Sequence, residues 1–382
     1  MCVDLPTKHL HGMTGTHVKA APALEQALAR GRARWEDYCG MPYLRLTDDF
    51  QGKPKGTVSW QGRLVPGYPH IGRIFRLEQG LAQQFSGPFW VEEKIDGFNV
   101  RVFKSGEGLV ALTRGGYVCP FATDRVPEFI DPALFDAEPD LIVCAELAGP
   151  DNPYTQGGPS FVPEDVALFV FDLMRLDRQG FLPEEEKYAL CGRYALPMAR
   201  TFGRFEAAQW ERVREVVAEL DAEGREGIVV KEAAPGTHRT KYVTAWSGVY
   251  DIAVRAADTV ELPGDFFTGR ILRLVLYLDE AGRRADPELE RDLGAAFLRG
   301  LVGSVERFKR EGQVYHDFRC RFRRRENALA FMEHLRAILG HTHVAQTGLF
   351  EERGLWVLEF AKEVPKLTGL LHQLFRGAAI VD

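Results

Sequence analysis

The sequence predicts an α+β protein built around mainly antiparallel sheet, and three observations carry that expectation. Six short apolar segments between residues 89 and 233 are rich in β-branched and aromatic side chains and end at Gly, Asp or Pro. Few helical spacers separate them, which disfavours a parallel sheet wound from βαβ units. Hydrophobic residues at 45% and charged residues at 27% are ordinary for a globular chain.

Taken in order, residues 1 to about 70 are mixed. The stretch ALEQALARGRARWEDY places apolar and charged residues at helical spacing and predicts a helix over Pro22–Tyr38. A run dense in Gly and Pro follows, DDFQGKPKGTVSWQGRLVPGYPHIG, and a boundary falls near its end at about 70. From 71 to 250 the strand-like segments are FWVEEKIDG, FNVRVFKS, LVALTRGG, LIVCAELAG, VALFVFDLMRL and GIVVKEA, with one helix over Ala207–Ala222. Beyond 250, DIAVRAAD and GRILRLVLYLDE read as strand or short helix, and Pro287–Leu301 and Glu326–Leu339 as helices. A chain of 382 residues at roughly 150 per domain holds more than one domain. The expected division is 1–70, 71–250, 251–315 and 316–382.

Composition narrows the function. A formal net charge of −6 excludes a broadly basic protein but leaves room for a local phosphate-binding stripe. One such candidate is SVERFKREGQVYHDFRCRFRRR within 299–325, where cations and aromatics interleave; a solvated amphipathic face explains it equally well. Cys2, Cys39, Cys119, Cys144, Cys191 and Cys320 form no CxxC pair, so neither a zinc site nor a disulfide framework is expected. No run of about 18 apolar residues exists, and MCVDLPTKHLHG lacks the charged start and apolar core of a secretory leader. A cytoplasmic protein without membrane contact is expected. Only 12 of the 48 cationic residues are lysine. A lysine inside an apolar strand therefore calls for a reason, since lysine can become a nucleophile and arginine effectively cannot.

The strongest local signal is Glu92-Glu93-Lys94-Ile95-Asp96-Gly97. Trp90, Glu92 and Lys94 share one strand face, an aromatic, an acceptor and an amine; a solvated strand end with an Asp-Gly hairpin is the plain alternative. Further segments follow in order: Arg114 in Thr113–Gly116, Glu146 after the apolar strand 141–145, and Phe169 and Phe171 alternating in LFVFDL. Glu226 then opens EGIVVK, which ends at Lys231, and Lys241 precedes Tyr242. Singly, each has a structural explanation: a hairpin tip, a strand-end carboxylate, core aromatics, surface charges.

As an ordered set, KIDG, TRGG, AELAG, FVFDL, EGIVVK and HRTKY resemble the signature of the covalent nucleotidyltransferases, the superfamily of ATP-dependent DNA and RNA ligases and mRNA capping enzymes. Asn99 follows KIDG where DNA ligases usually carry arginine. With AELAGPDNPY and the chain length, it resembles the homodimeric ATP-dependent RNA ligases first described in archaea, a third RNA ligase family. The resemblance implies an ATP-grasp-like nucleotidyltransferase domain at 71–250 with N-terminal, dimerisation (251–315) and C-terminal modules around it. It implies three steps: Lys94 attacks the α-phosphate of ATP, AMP passes to a 5′-phosphate, and a 3′-hydroxyl displaces AMP.

Site roles come from the same resemblance. Lys94 is the nucleophile, with Lys231, Lys241 and Arg114 assisting the chemistry. Glu92, Asn99, Arg114, Glu146, Phe171 (or Phe169), Lys231 and Lys241 bind the nucleotide. Glu146 and Glu226 hold magnesium, with manganese as the alternative ion. The partner is single-stranded RNA bearing a 5′-phosphate, with single-stranded DNA as the alternative, and the chain forms a homodimer. Physically the first step needs an unprotonated amine, so burial and nearby cations are expected to depress the Lys94 pKa. A DNA ligase or capping enzyme is the near alternative, and a lysine Schiff-base enzyme the distant one.

Overall fold

A computed structural model of the chain describes residues 20–379 except Glu107, Pro235, Thr237, Arg284 and Ala285. Cys2 and the segment read for a leader lie outside the described residues. The N-terminal part opens with α1 (Pro22–Ala29), then β1 (Ala33–Tyr38), β2 (Met41–Leu46), β3 (Val58–Trp60) and β4 (Arg63–Val65) form an antiparallel meander in sequence order. The helix predicted to reach Tyr38 thus stops nine residues early. Gly31 takes a left-handed backbone (φ +68°), which ends the helix. Ala33 then packs with Leu24 and Leu44, and the whole of 33–38 pairs along β2.

The central part follows as β5 (Gly72–Arg73), α2 (Leu77–Gln84), β6 (Phe89–Lys94), β7 (Phe98–Ser105), β8 (Gly108–Thr113), α3 (Pro120–Arg125) and α4 (Leu134–Ala137). It continues with β9 (Leu141–Ala148), β10 (Ala167–Arg175), α5 (Glu184–Arg193), β11 (Thr201–Phe205), α6 (Trp210–Ala222), β12 (Gly227–Glu232) and β13 (Arg239–Val243). The strands form two sheets, β11-β6-β12-β13-β5 and β10-β9-β7-β8, antiparallel apart from β13–β5. All six predicted strand segments are strands. In the five-stranded sheet, Val91, Ile228, Val230 and Tyr242 point to one face under Leu77 and Leu81 of α2 and Val213, Val217 and Leu220 of α6. The opposite face carries Glu92 and Lys241, because side chains alternate.

The four-stranded sheet buries one face against Tyr43, Val58 and Trp60 of the N-terminal meander. Its other face shares a core with the C-terminal end of the chain, where Phe322, Phe331 and Phe360 pack around Phe121. That end comprises α7 (Ala245–Arg255), α8 (Asp265–Glu280), α9 (Pro287–Glu311), β14 (Tyr315–Phe322), α10 (Arg325–Leu339), β15 (Val344–Glu352), β16 (Leu355–Glu363) and α11 (Pro365–Phe375). β14-β16-β15 form an antiparallel sheet.

Both ambiguous segments after 250 are helices. In α8 the buried side chains are Phe267 and Leu274, two turns apart, so burial follows the helical period rather than alternation. Leu274 lies on Gly248 of α7, which has no side chain to hold it off. α9 runs ten residues beyond its expected end and stops at Gly312 (φ +74°). The cationic run 304–325 is largely paired within the protein: Arg307 with Glu311 and Asp317, Arg319 with Glu352, and Arg321 with Asp151. Arg307 and Arg321 tie β14 to α9 and to the loop at Asp151, and Arg319 ties β14 to β15 within the sheet. No helix among the described residues is long and apolar enough to cross a membrane.

Candidate active site

β6 sets the site by alternation: Glu92 and Lys94 project to the open face of the five-stranded sheet while Val91 points to the core. The turn after Lys94 must pass close to β9. A Cβ on Gly97 would sit 2.4 Å from the Leu147 carbonyl oxygen, so only glycine fits there. Gly227 pairs with Lys94 across the sheet. Its φ of +147° and the Tyr242 carbonyl, 2.2 Å from a would-be Cβ, again demand glycine. The residue before it, Glu226, thereby reaches the nucleophile: Lys94 Nζ donates to Glu226 Oε2 at 2.7 Å.

Between the two sheets lies a cavity of about 290 Å³. Its walls carry eight of the ten predicted site residues: Glu92, Lys94, Asn99, Arg114, Glu146, Phe171, Lys231 and Lys241. Glu226 joins them through Lys94. Phe169 does not: its ring packs edge-on to Phe161 at 5.6 Å, beside Ile95 and Ala199. Phe169 keeps the face of its register partner Glu146 and packs with Phe171 on the Ile95, Ala148 and Ala199 cluster, while a bulge in β10, where Val170 opposes Ala145 and Asp172 opposes Cys144, leaves Phe171 as the extra residue. Bulges leave the extra residue unpaired in the ladder. At this one the Phe171 ring lines the cavity and its carbonyl accepts from Lys187 Nζ (3.0 Å) and Lys231 Nζ (2.5 Å).

Those lysines belong to a buried cluster of three acids and three cations that single-segment reading did not reveal. Glu92 accepts from Lys187, from Tyr188 Oη (2.7 Å) and from Lys231 (2.7 Å). Asp172 accepts from Lys231 (3.1 Å), Arg239 (2.8 Å) and Tyr68 Oη (2.6 Å). Glu184 contacts Lys187, Lys231 and Arg239. Burial works against both carboxylates, yet Lys231 and Lys187 hold Glu92 below its ordinary range, and Arg239 and Lys231 hold Asp172 far below. Glu92 is therefore an acceptor already holding three protein donors. A carboxylate has about four lone-pair sites, so one is left for a ligand. The Lys231 charge is likewise neutralised by its neighbours. The signal for Lys187 lay in the scarcity of lysine, one of 12 in the chain.

The electrostatics at Lys94 run opposite to expectation. Burial disfavours its ammonium, but Glu226 and then Glu146 outweigh burial and hold it above the ordinary lysine value. Burial pushes Glu146 up to about 8 and Glu226 up to about 7. The depressed lysine is Lys241, lowered to about 8 by burial and by Lys94 and Arg73. Arg114 donates to the Pro69 carbonyl (3.0 Å) and lies 3.1 Å from His70 Nδ1. Asn99 Oδ1 and Arg114 Nε are buried without a partner among the described residues, the condition of polar groups that a ligand completes.

The donor set also suits a hard cation. Two carboxylates, Glu146 and Glu226, flank the amine. Magnesium is held by one or two carboxylates with water and phosphate oxygens supplying the rest. Among the described residues no cluster of three or more ligand-type side chains offers a closed cage.

Two family models match the chain. The model described as RNA ligase covers residues 87–243, and that described as the ligase Pab1020 C-terminal region covers 256–378. A candidate ATP-dependent DNA ligase from Aquifex aeolicus has a similar structure, with 44% identity, a TM-score of 0.90, and coverage of 94% of this chain and 99% of its own. An archaeal ATP-dependent RNA ligase superposes with a TM-score of 0.82 at 29% identity, over 94% of this chain and 96% of its own. An uncharacterized protein of Methanocaldococcus jannaschii is 29% identical over 327 residues, 82% of each chain. Fold, motif order and these relatives agree: the chain belongs to the ATP-dependent ligase family of its Aquifex relative, with residues 87–243 matching the RNA ligase model.

Proposed function

We propose that this protein is an ATP-dependent RNA ligase that joins 5′-phosphate to 3′-hydroxyl RNA ends through a covalent lysyl-AMP on Lys94 and an adenylated 5′ end. The observation that carries the reading is the Lys94–Glu226 pair at the wall of a cavity that also holds Phe171, Asn99 and Arg114. The adenine stacks on Phe171, and the last acceptor site of Glu92 takes its amino group. Asn99 and Arg114, with their unpaired atoms, meet the ribose or the 5′-phosphate. Lys94 starts as an ammonium. Its proton passes to Glu226, whose buried carboxylate sits near neutrality, and the freed amine attacks in line. Lys241 and, through the cluster, Lys231 oppose the charge on the phosphates, where positioning and electrostatics supply most of the catalysis. Glu146 and Glu226 would hold magnesium or manganese, which supplies charge neutralisation on the phosphate oxygens.

The four-module division at 70, 250 and 315, homodimerisation through 251–315 and a cytoplasmic setting belong to the same proposal. The buried thiols Cys119, Cys144, Cys191 and Cys320 support a reducing compartment. A DNA-joining reading is favoured by the Aquifex relative at 44% identity. The test is incubation with α-labelled ATP and magnesium, then transfer to 5′-phosphorylated RNA or DNA of one sequence. Covalent label followed by RNA sealing is expected. Label that passes only to DNA overturns the RNA preference, and no covalent label overturns the mechanism.

A further inference from the structure

Across the five-stranded sheet, Glu92, Val229, Lys241 and Arg73 are successive register partners on β6, β12, β13 and β5. Partners in one row project to the same face, and strands lie about 4.8 Å apart, so the row spans roughly 14 Å. Its first three members line the cavity. Arg73 stands at the outer end of the row, next to Lys241. The base end is marked by Glu92 and Phe171 and the phosphate-facing cation by Lys241, so the row points along a nucleotide from base to terminal phosphates.

Arg73 has no structural employment that explains it. It is half-buried, and its guanidinium makes no hydrogen bond or ion pair among the described residues. β5 is only two residues long, pinned by the Ile74 amide to the Lys241 carbonyl at 3.0 Å. Burial, and the nearby Arg270 charge, disfavour its guanidinium, while Glu226 and Asp251 favour it. Arg270 comes from α8 and is held by Asp251 of α7 at 2.7 Å. A half-buried, unpaired guanidinium beside a second cation is arranged for an anion of more than one charge.

We propose that Arg73, with Lys241, forms the subsite for the β- and γ-phosphates of ATP and for the pyrophosphate that leaves. This rests on the ligase reading above. As Lys94 Nζ forms its bond to the α-phosphorus, the bond from that phosphorus to the bridging oxygen breaks. The electron pair departs on pyrophosphate, which takes the second proton of the attacking nitrogen, Glu226 already holding the first. Charge grows on the leaving oxygen, and Arg73 is the group placed to receive it. Pyrophosphate has no part in strand sealing, so Arg73 serves only the first step and its reversal.

The experiment uses purified full-length protein charged with labelled AMP and challenged with inorganic pyrophosphate. In Arg73→Met, formation of lysyl-AMP from ATP should fall on the order of 100-fold. The pyrophosphate concentration that half-discharges the labelled protein should rise about tenfold or more, and Arg73→Lys should recover part of both. Sealing of pre-adenylated RNA is the comparator. An unchanged pyrophosphate dependence overturns the assignment, as does a loss in sealing equal to the loss in discharge, the mark of a structural role. Wild-type protein that takes no label overturns the ligase reading itself.

Discussion

Lys94 Nζ and Glu226 Oε2 lie 2.7 Å apart, a lysine at the end of one strand and a carboxylate just before another, 132 positions on in the chain. The pair keeps the nucleophile protonated and aimed until a substrate displaces the carboxylate or takes up its charge. Lys94→Ala should abolish covalent AMP attachment yet still join RNA that carries a 5′-adenylate, because that step bypasses the lysine. Protein labelling that persists in the variant would sink the assignment.

Phe171 lines the cavity and Phe169, two residues before it on the same strand, does not. Phe171→Ala should weaken ATP use by about 1–3 kcal/mol, the scale of a lost base stack. Phe169→Ala should leave the ATP dependence alone and lower stability instead, since its ring packs on Phe161. Half-saturating ATP concentration, read beside a melting curve, separates the two outcomes; a reversed pattern returns the base to Phe169.

Lys187 lies behind the cavity wall, on Glu92 and the Phe171 carbonyl, and balances the buried acids. Lys187→Met leaves Glu92, Asp172 and Glu184 facing two cations. Breaking a buried pair on one side costs about 3–5 kcal/mol, so denaturant unfolding should show a loss of that order. A loss below about 1 kcal/mol would mean that the cluster discharges an acid cheaply.

Lys241 carries a charge only below its lowered pKa of about 8. As pH rises through that value the ammonium is lost, and with it attraction for phosphate. The ATP concentration needed for half-maximal lysyl-AMP formation should therefore climb above pH 8. Lys241→Arg, which stays charged, should flatten that rise. An inflection at the same pH in the arginine variant would assign it to another group.

Assembly is tested on α8, where Ile271, Leu272 and Val275 are exposed at 36%, 54% and 55%. Leu274, within the same apolar run, is only 4% exposed and belongs to the internal core. Light scattering at micromolar concentration should give about twice 43.0 kDa. Paired Leu272→Glu and Val275→Glu changes should halve that mass without unfolding the chain. A monomeric wild type, or a dimer indifferent to those charges, removes the proposed interface.

Read alone, the chain already contained the six central strands, the order of its motifs and nearly all of the cavity's polar residues. Strand alternation and turn glycines are local, so KIDG and EGIVVK announce where a lysine and a glutamate end their strands. What the sequence could not contain is what pairs across distance. The Lys94 pKa was misjudged because its sign depends on Glu226 and Glu146, which only sheet pairing and the stacking of two sheets bring beside it. The choice between Phe169 and Phe171 depends on packing, since Phe161 holds one ring and Tyr68 sets the other at the cavity. Lys187 and Arg73 lie outside the motifs and acquire meaning from a buried cluster and from a two-residue strand. The apolar run 271–278 fits either period on paper, and burial at Phe267 and Leu274, with Leu274 on Gly248, follows the helical one. Local chemistry determined which residue types the site holds; tertiary register decided which charges face one another, because electrostatics and packing act between neighbours in space.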